Sequence, residues 1–151
     1  MPKPIRLLFV CTANICRSPM AEGLAPMLGS GLGIPVEARS ACIMRKEGSR
    51  PATNAVKVMK ELGIDISSNK SKRIAIEDVE WADYVLAMAP KHAGYARQKF
   101  PMHQDKILLL GTFGGMLKIP DPVGGWKFTF RRNRKTIQKC IERFLSQVPK
   151  G

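Results

Sequence analysis

Two hydrophobic patterns alternate along the chain. Continuous or alternating apolar stretches, typical of strands, occupy residues 5–10, 34–40, 84–88 and 106–110. Helical spacing of apolar positions predicts helices between and after these stretches, at 18–29, 52–62, 91–99 and 126–148. Because strands and helices alternate, we expect a single α/β domain with a four-stranded parallel sheet and helices on both of its faces.

The last predicted helix has a clear apolar stripe. We expect one buried face formed by Trp126, Phe130, Ile137, Ile141, Phe144 and Val148. The basic residues of the same segment fall mostly on other faces and include Arg131, Arg132, Arg134 and Lys135.

The connection between the first strand and the first helix is the best candidate for a binding site. The run 5–10 is apolar throughout, which suits a strand buried on both faces. Ser18 and Pro19 are typical of a helix start, with Ser18 as the N-cap and Pro19 at the first helical position. Residues 11–18 therefore lie beyond the carboxyl end of a parallel strand, where open α/β sheets bind ligands.

This connection reads C-x5-R-S, from Cys11 to Ser18. A loop of this length can turn the backbone N–H groups of residues 12–16 towards a tetrahedral anion, and the helix N-terminus adds further donors. Arg17 can bind two oxygens of such an anion in fork geometry. We expect the surrounding positive potential to keep Cys11 as a thiolate at neutral pH, which is the nucleophilic form of cysteine.

Composition narrows the class of protein. The chain has 151 residues, enough for one domain, and no apolar run approaches the length of a membrane span. We expect a soluble, cytoplasmic protein. Its four cysteines, Cys11, Cys16, Cys42 and Cys140, should then be reduced. They lack the paired spacing of a zinc site, so we expect neither a metal nor a cofactor.

The formal net charge of +13 concerns partners more than fold. Nucleic acid, an anionic surface and phosphorylated substrates are all compatible with it. A solvated basic surface explains it equally well.

The segment VCTANICRSPMAE resembles the signature V-C-x-G-N-x-C-R-S-P-x-A-E of the low-molecular-weight protein tyrosine phosphatases. The resemblance continues with RSA at 39–41, GIDIS at 63–67, DYVLAM at 83–88, LLLG at 108–111 and DP-x-GG at 121–125. It implies that residues 1–151 form one domain of this type.

The resemblance also implies an activity: hydrolysis of phosphotyrosine through a phosphocysteine, without a metal. Cys11 matches the nucleophile, Arg17 the phosphate-binding arginine and Asp121 the general acid. The substrate-binding loop then consists of Thr12, Ala13, Asn14, Ile15, Cys16 and Ser18. The implied partners are phosphotyrosine proteins, with tyrosine kinases among the candidates; nucleic acid is not obligatory, no membrane is implied and the oligomeric state stays open.

Supporting roles follow from the same resemblance. Ser40 matches a serine that hydrogen-bonds Asn14, and Ser18 matches one that supports the thiolate. Cys16 matches a second loop cysteine that can form a reversible disulfide with Cys11, which would protect the nucleophile from irreversible oxidation. A small buried side chain is an equally good interpretation of Cys16.

Three residues depart from the pattern. Ala13 replaces a Gly, and at a position of positive φ it would cost about 1 kcal/mol. Asn69 replaces a His that supports the loop. Val123 replaces an aromatic residue beside the acid, although Trp126 is near in sequence, and residues 43–45 are expected to form another wall of the cleft. These changes concern rate and substrate choice more than reaction type.

Three alternatives remain. Protein-arginine phosphatases share the loop but tend to have Thr at the position of Ile15, so Ile15 favours phosphotyrosine. Arsenate reductases use two further cysteines in one redox segment, whereas Cys42 and Cys140 are far apart in sequence. A catalytically weak, basic module that binds anions or nucleic acid is the alternative of another class, motivated by residues 131–135.

Overall fold

The computed structural model describes residues 3–44 and 47–148. Arg45, predicted to line the cleft, lies outside them. Four strands and five α-helices follow one another in the order β1 (Ile5–Cys11), α1 (Arg17–Gly31), β2 (Val36–Cys42), α2 (Thr53–Lys60), α3 (Ile76–Trp81), β3 (Tyr84–Ala87), α4 (Pro90–Lys99), β4 (Ile107–Leu109) and α5 (Lys127–Gln147). Two 3-10 helices, Pro101–Lys106 and Leu110–Gly114, flank β4.

The four strands form one parallel sheet in the order β2-β1-β3-β4. The predicted sheet is therefore confirmed, with β1 and β3 at its centre. Strand β2 lies on one side of β1, whereas β3 and β4 lie on the other side. The connection after β1 therefore lies at the point where the strand order reverses.

Strand β1 is apolar throughout because both of its faces are covered. Leu7, Phe9 and Cys11 point into one core, and Leu8 and Val10 point into the other. Helices α1, α2 and α5 cover the first face, whereas α3 and α4 cover the second. Within the described residues, no helix combines the length and the apolarity needed to cross a bilayer.

Glycine is required where α1 turns back into β2. A Cβ at Gly29 would lie 2.4 Å from the carbonyl oxygen of Ile34 and 2.5 Å from a methyl group of Val36. The backbone of Gly29 therefore lies against the incoming strand, at a distance that no other residue allows.

Several predicted details are wrong. Helix α1 begins at Arg17, and Ser18 makes no side-chain cap bond because its hydroxyl contacts Cys11. Trp126 is 76% exposed, so it does not belong to the buried face of α5. Arg134, expected on another face, is buried and donates to the carbonyl oxygen of Val58.

The long loop between β4 and α5 is partly ordered by backbone contacts with the sheet. The N–H of Ile119 donates to the carbonyl oxygen of Met88, just after β3, at 2.8 Å. Ile119 is fully buried. This contact holds the following residues 120–123 beside the connection that leaves β1.

Candidate active site

A cavity of about 180 Å³ opens at the carboxyl end of β1. It is lined by Cys11, Thr12, Ala13, Ile15, Cys16, Arg17, Asp121 and Val123. The structure thus brings together the first loop of the chain and the acidic residue of the loop after β4. Ile43 and Met44 do not line it.

The loop after β1 presents free donors to this cavity. The backbone N–H groups of Thr12, Ala13, Ile15, Cys16 and Arg17 find no protein acceptor within residues 3–44 and 47–148. Several converging N–H groups of this kind, at the start of a helix, form a site for a tetrahedral anion.

Asn14 gives the loop its sharp turn. Its φ of 58° is the only positive value for a non-glycine residue in the described chain, and Asn tolerates this conformation better than most residues. Its side-chain amide donates to Ser18 Oγ at 2.7 Å, and its Oδ1 accepts from the N–H of Lys72 at 3.1 Å. Ala13 does not adopt a positive φ, so the strain considered for it is absent.

Cys11 lies at the bottom of the cavity and is 3% exposed. Its Sγ lies 2.9 Å from Ser18 Oγ and accepts from the N–H of Asn14 at 3.2 Å. Two hydrogen-bonding groups therefore face the sulfur.

Cys16 differs from Cys11 although both belong to the same loop. Burial raises the pKa of the Cys16 thiol to about 12, and the negative charges of Asp121 and Cys11 add to the effect. Cys16 therefore stays protonated near neutral pH. All four cysteines are free of disulfide bonds.

Arg17 is buried, and its guanidinium is fixed from outside the loop. One NH group donates to the carbonyl oxygen of Ile119 at 2.9 Å, and another lies 3.5 Å from Asp121 Oδ2. The Asp121 side chain is 39% exposed, and its other oxygen accepts from the N–H of Val123 at 3.1 Å. The carboxyl group thus lies at the mouth of the cavity.

The predicted contact between Ser40 and Asn14 is wrong. Ser40 Oγ donates to the carboxylate of Glu22, because Asn14 is already held by Ser18 and Lys72. Burial raises the pKa of Glu22, and the hydrogen bond from Ser40 partly opposes this. Asn69 also reaches Glu22, at 3.5 Å, so its nearest polar partner lies on α1.

Two residues that support the loop are not predicted by the sequence. Lys72 holds Asn14 through its backbone and pairs through its Nζ with the buried carboxylate of Asp78 at 2.8 Å. His92, fully buried near the start of α4, contacts the side chain of Thr12. One signal points to His92: it follows β3, whose carboxyl end meets that of β1.

His92 is neutral near pH 7. Burial lowers the pKa of His92 to about 4, and the positive charges of Arg17, Lys91 and Lys118 add to the effect. The carboxylate of Asp121 acts in the opposite direction.

Two basic residues of α5, Arg131 and Arg134, form ion pairs with Glu61, whereas Arg132 and Lys135 are exposed. Arg131 forms a paired contact with Glu61, at 3.0 and 2.7 Å, and Arg134 reaches the same carboxylate at 2.8 Å. These contacts lower the pKa of Glu61 to about 2, with the hydrogen bond from Arg131 as the largest cause. These two ion pairs join the end of α2 to α5. In the part of the chain that the structure describes, no group of three His, Cys, Asp or Glu side chains could hold a metal.

Comparisons with known proteins agree with this geometry. Residues 6–151 match the family model described as low molecular weight phosphotyrosine protein phosphatase. The chain is 37% identical to a protein-arginine-phosphatase of Geobacillus stearothermophilus, over 96% of this chain and 97% of that protein. It is 34% identical to a low molecular weight protein-tyrosine-phosphatase of Streptomyces coelicolor, over 95% and 93%. Among solved structures, a low molecular weight protein tyrosine phosphatase from T. tengcongensis superposes with a TM-score of 0.88 at 37% identity, covering 95% of this chain and 99% of that one.

Proposed function

The chain belongs to the low molecular weight phosphotyrosine protein phosphatase family and is a protein phosphatase; on that premise we propose that it hydrolyses phosphotyrosine in proteins through a phosphocysteine on Cys11. The observation that carries this proposal is that one cavity contains Cys11, the unpaired N–H groups of its loop, the buried Arg17 and the partly exposed Asp121. Residues 1–151 then act as one catalytic domain.

The first step transfers the phosphoryl group to sulfur. The Cys11 thiolate attacks phosphorus while the bond from phosphorus to the phenolic oxygen breaks. The free N–H groups of the loop and the guanidinium of Arg17 bind the non-bridging oxygens, whose charge they stabilise in the transition state. The free N–H groups are those of Thr12, Ala13, Ile15, Cys16 and Arg17. Asp121, in its protonated form, gives its proton to the departing oxygen, so that a neutral phenol leaves.

The second step returns the enzyme to its starting state. Water attacks the phosphorus of phosphocysteine, and the Asp121 carboxylate takes a proton from that water. The sulfur–phosphorus bond breaks, inorganic phosphate is released and Cys11 is again a thiolate. The contacts of the sulfur with Ser18 Oγ and the N–H of Asn14 support Cys11 as a leaving group in this step.

We also propose that Cys11 and Cys16 can form a reversible disulfide when Cys11 is oxidised. Because the Cys16 thiol stays protonated near pH 7, the reaction has to begin with a peroxide that oxidises the Cys11 thiolate to a sulfenic acid. Condensation with Cys16 then forms the S–S bond and releases water. We place the protein in the cytoplasm, where such a disulfide can be reduced again.

Phosphoarginine is the second candidate substrate. Its support is the 37% identity to a protein-arginine-phosphatase over nearly the whole chain. Val123, which is 60% exposed at the cavity, leaves the mouth open on the side where an aromatic wall was expected. Ile15, which also lines the cavity, favours phosphotyrosine.

A panel of phosphopeptides tests the proposal. Peptides of one sequence that carry phosphotyrosine, phosphoserine or phosphoarginine are incubated with the enzyme in the presence of a chelator. We expect kcat/KM to be highest for phosphotyrosine. A higher kcat/KM for phosphoarginine would replace the substrate assignment, and absence of phosphate release from all three peptides would overturn the proposed function.

A further inference from the structure

The side chain of Thr12, which follows the nucleophile, is held by a buried histidine from another element. Thr12 Oγ1 lies 2.8 Å from Nε2 of His92, on α4. We propose that His92 is a positioning residue for the phosphate cradle, and that it orients both the backbone and the hydroxyl of Thr12 towards the bound phosphoryl group. This inference rests on the proposed function of the Cys11 loop.

Thr12 is fixed from two sides. Its carbonyl oxygen accepts from the N–H of Met44, beyond the end of β2, at 3.2 Å. Its hydroxyl contacts His92, beyond the end of β3. Because the carbonyl and the side chain are both anchored, the residue cannot rotate, and the backbone N–H of Thr12 keeps its place among the unpaired donors of the cavity.

The direction of the hydrogen bond follows from the other ring nitrogen. His92 is neutral, so only one of its two nitrogens carries a hydrogen. Nδ1 is buried and has no hydrogen-bond partner in the described residues. A buried N–H without an acceptor is costlier and rarer than a buried lone pair without a donor, which places the hydrogen on Nε2. Nε2–H then donates to Thr12 Oγ1.

This tautomer leaves the hydroxyl hydrogen of Thr12 unused by His92. Thr12 lines the cavity, so its O–H is available to an oxygen of the phosphoryl group. His92 never touches the substrate in this arrangement. His92 acts through Thr12, because its Nε2–H donates to Thr12 Oγ1 and so fixes the position from which the Thr12 hydroxyl donates.

The test compares substitutions that keep or remove the group at the Nε2 position. His92→Gln places an amide near Nε2, whereas His92→Asn places it near Nδ1 and serves as the matched control. His92→Leu removes both nitrogens. The readouts are the dissociation constant of inorganic phosphate from isothermal titration calorimetry, kcat and KM for p-nitrophenyl phosphate, and the melting midpoint of each variant.

We expect His92→Leu and His92→Asn to raise KM and the phosphate dissociation constant by about tenfold, the effect of losing one hydrogen bond. His92→Gln should recover most of this loss. In a Thr12→Val background, His92→Leu should add less than about twofold, because the two side chains act as one unit. The effect should fall mainly on KM rather than on kcat.

Three outcomes overturn the inference: equal losses in the Gln and Asn variants, additive effects in the double variant, or losses that follow the melting midpoint alone. If His92→Leu does not fold, the same readouts for His92→Gln and His92→Asn are compared with those for Thr12→Ser, which keeps the hydroxyl group, and Thr12→Val, which removes it. This comparison then decides whether the inference holds. Phosphate binding is measured without turnover, so a protein that binds phosphate with this pattern but hydrolyses no ester would refute the proposed function alone.

Discussion

Two concavities lie at opposite ends of the sheet, and the larger one lacks the features of a catalytic site. The groove at the amino ends of the strands has a volume of about 1010 Å³, against about 180 Å³ for the cavity around Cys11. Two polar side chains of the groove already have protein partners: Lys106 donates to the carbonyl oxygen of Ala82, and Asp83 accepts from the N–H of Arg6. The small cavity instead has several N–H groups that point to no protein acceptor.

From this comparison we infer that unpaired backbone N–H donors indicate the catalytic site better than the volume of a concavity does. Parallel strands direct their carboxyl ends, and the helix that follows each of them, towards one edge of the sheet. Only at that edge do helix N-termini and connecting loops converge. We therefore assign all catalysis to the small cavity and none to the groove.

Removal of the nucleophile should have the largest effect. Cys11→Ser replaces the sulfur nucleophile by a hydroxyl group, which is a much weaker nucleophile near neutral pH, so we expect kcat for p-nitrophenyl phosphate to fall about a thousandfold or more. The assay contains a chelator. Cys140→Ser, in α5 and away from the cavity, is the control for a change of sulfur to oxygen. Undiminished turnover in the Cys11 variant would show that another group performs the attack.

Removal of the acid should have the second largest effect. Asp121→Asn keeps the size of the side chain but cannot supply a proton, and we expect kcat to fall about a hundredfold for an ester with a poor leaving group. The loss should be smaller for p-nitrophenyl phosphate, whose phenolate leaves without help. A loss of equal size for both esters would mean that Asp121 binds substrate rather than protonates the leaving group.

The pH dependence of the free energy of unfolding should reveal the contribution of His92, the buried histidine that contacts the cavity residue Thr12. His92 has a folded pKa of about 4, below its ordinary value of 6.5. The unfolded chain therefore binds a proton first, and stability is lost as the pH falls from 6.5 to 4. We expect the free energy of unfolding to fall over this range by about 3 kcal/mol more in the wild type than in His92→Gln.

Urea unfolding at several pH values measures this difference. The pKa of Glu22 is raised in the folded protein, so its contribution to the free energy of unfolding decreases as the pH rises. This contribution is the same in both proteins and cancels in the comparison. Parallel curves for the two proteins would contradict the neutral, buried state of His92.

Changes in the groove should have the smallest effect. Met102→Ala, His103→Ala and Asp105→Asn alter its lining, and Met102 is 93% exposed. Since none of these side chains reaches the carboxyl ends of the strands, we expect kcat/KM to change by less than about twofold. A larger change in kcat/KM at an unchanged melting midpoint would make the groove part of the function.

The sequence predicts the sheet well because the apolar runs report burial on both faces. The run before Cys11 is such a case, and β1 fills two cores with alternating residues. The sequence predicts helix ends less well. Ser is a residue type favoured at N-caps, but the hydroxyl of Ser18 contacts the Cys11 sulfur instead. The local sequence does not reveal this competing contact.

The supporting contacts of the site are the least predictable part. Arg17 is oriented by the carbonyl oxygen of Ile119, and Asn14 by the N–H of Lys72. Because every residue has a backbone carbonyl group, and nearly every residue a backbone N–H, hydrogen bonds to these groups cannot be predicted from residue types. Ser40 shows the converse: its residue type suits a bond to Asn14, yet its place on β2 brings it to Glu22.

Trapping of the reaction intermediate tests the central claim most directly. The enzyme is mixed with a phosphotyrosine peptide, quenched in acid within one turnover and digested, and the phosphorylated residue is located by mass spectrometry. The account predicts a phosphoryl group on Cys11, formed together with a burst of dephosphorylated peptide and more abundant when Asp121→Asn slows hydrolysis. A phosphoryl group on another residue, or turnover at full rate with no phosphoenzyme in either protein, would contradict it.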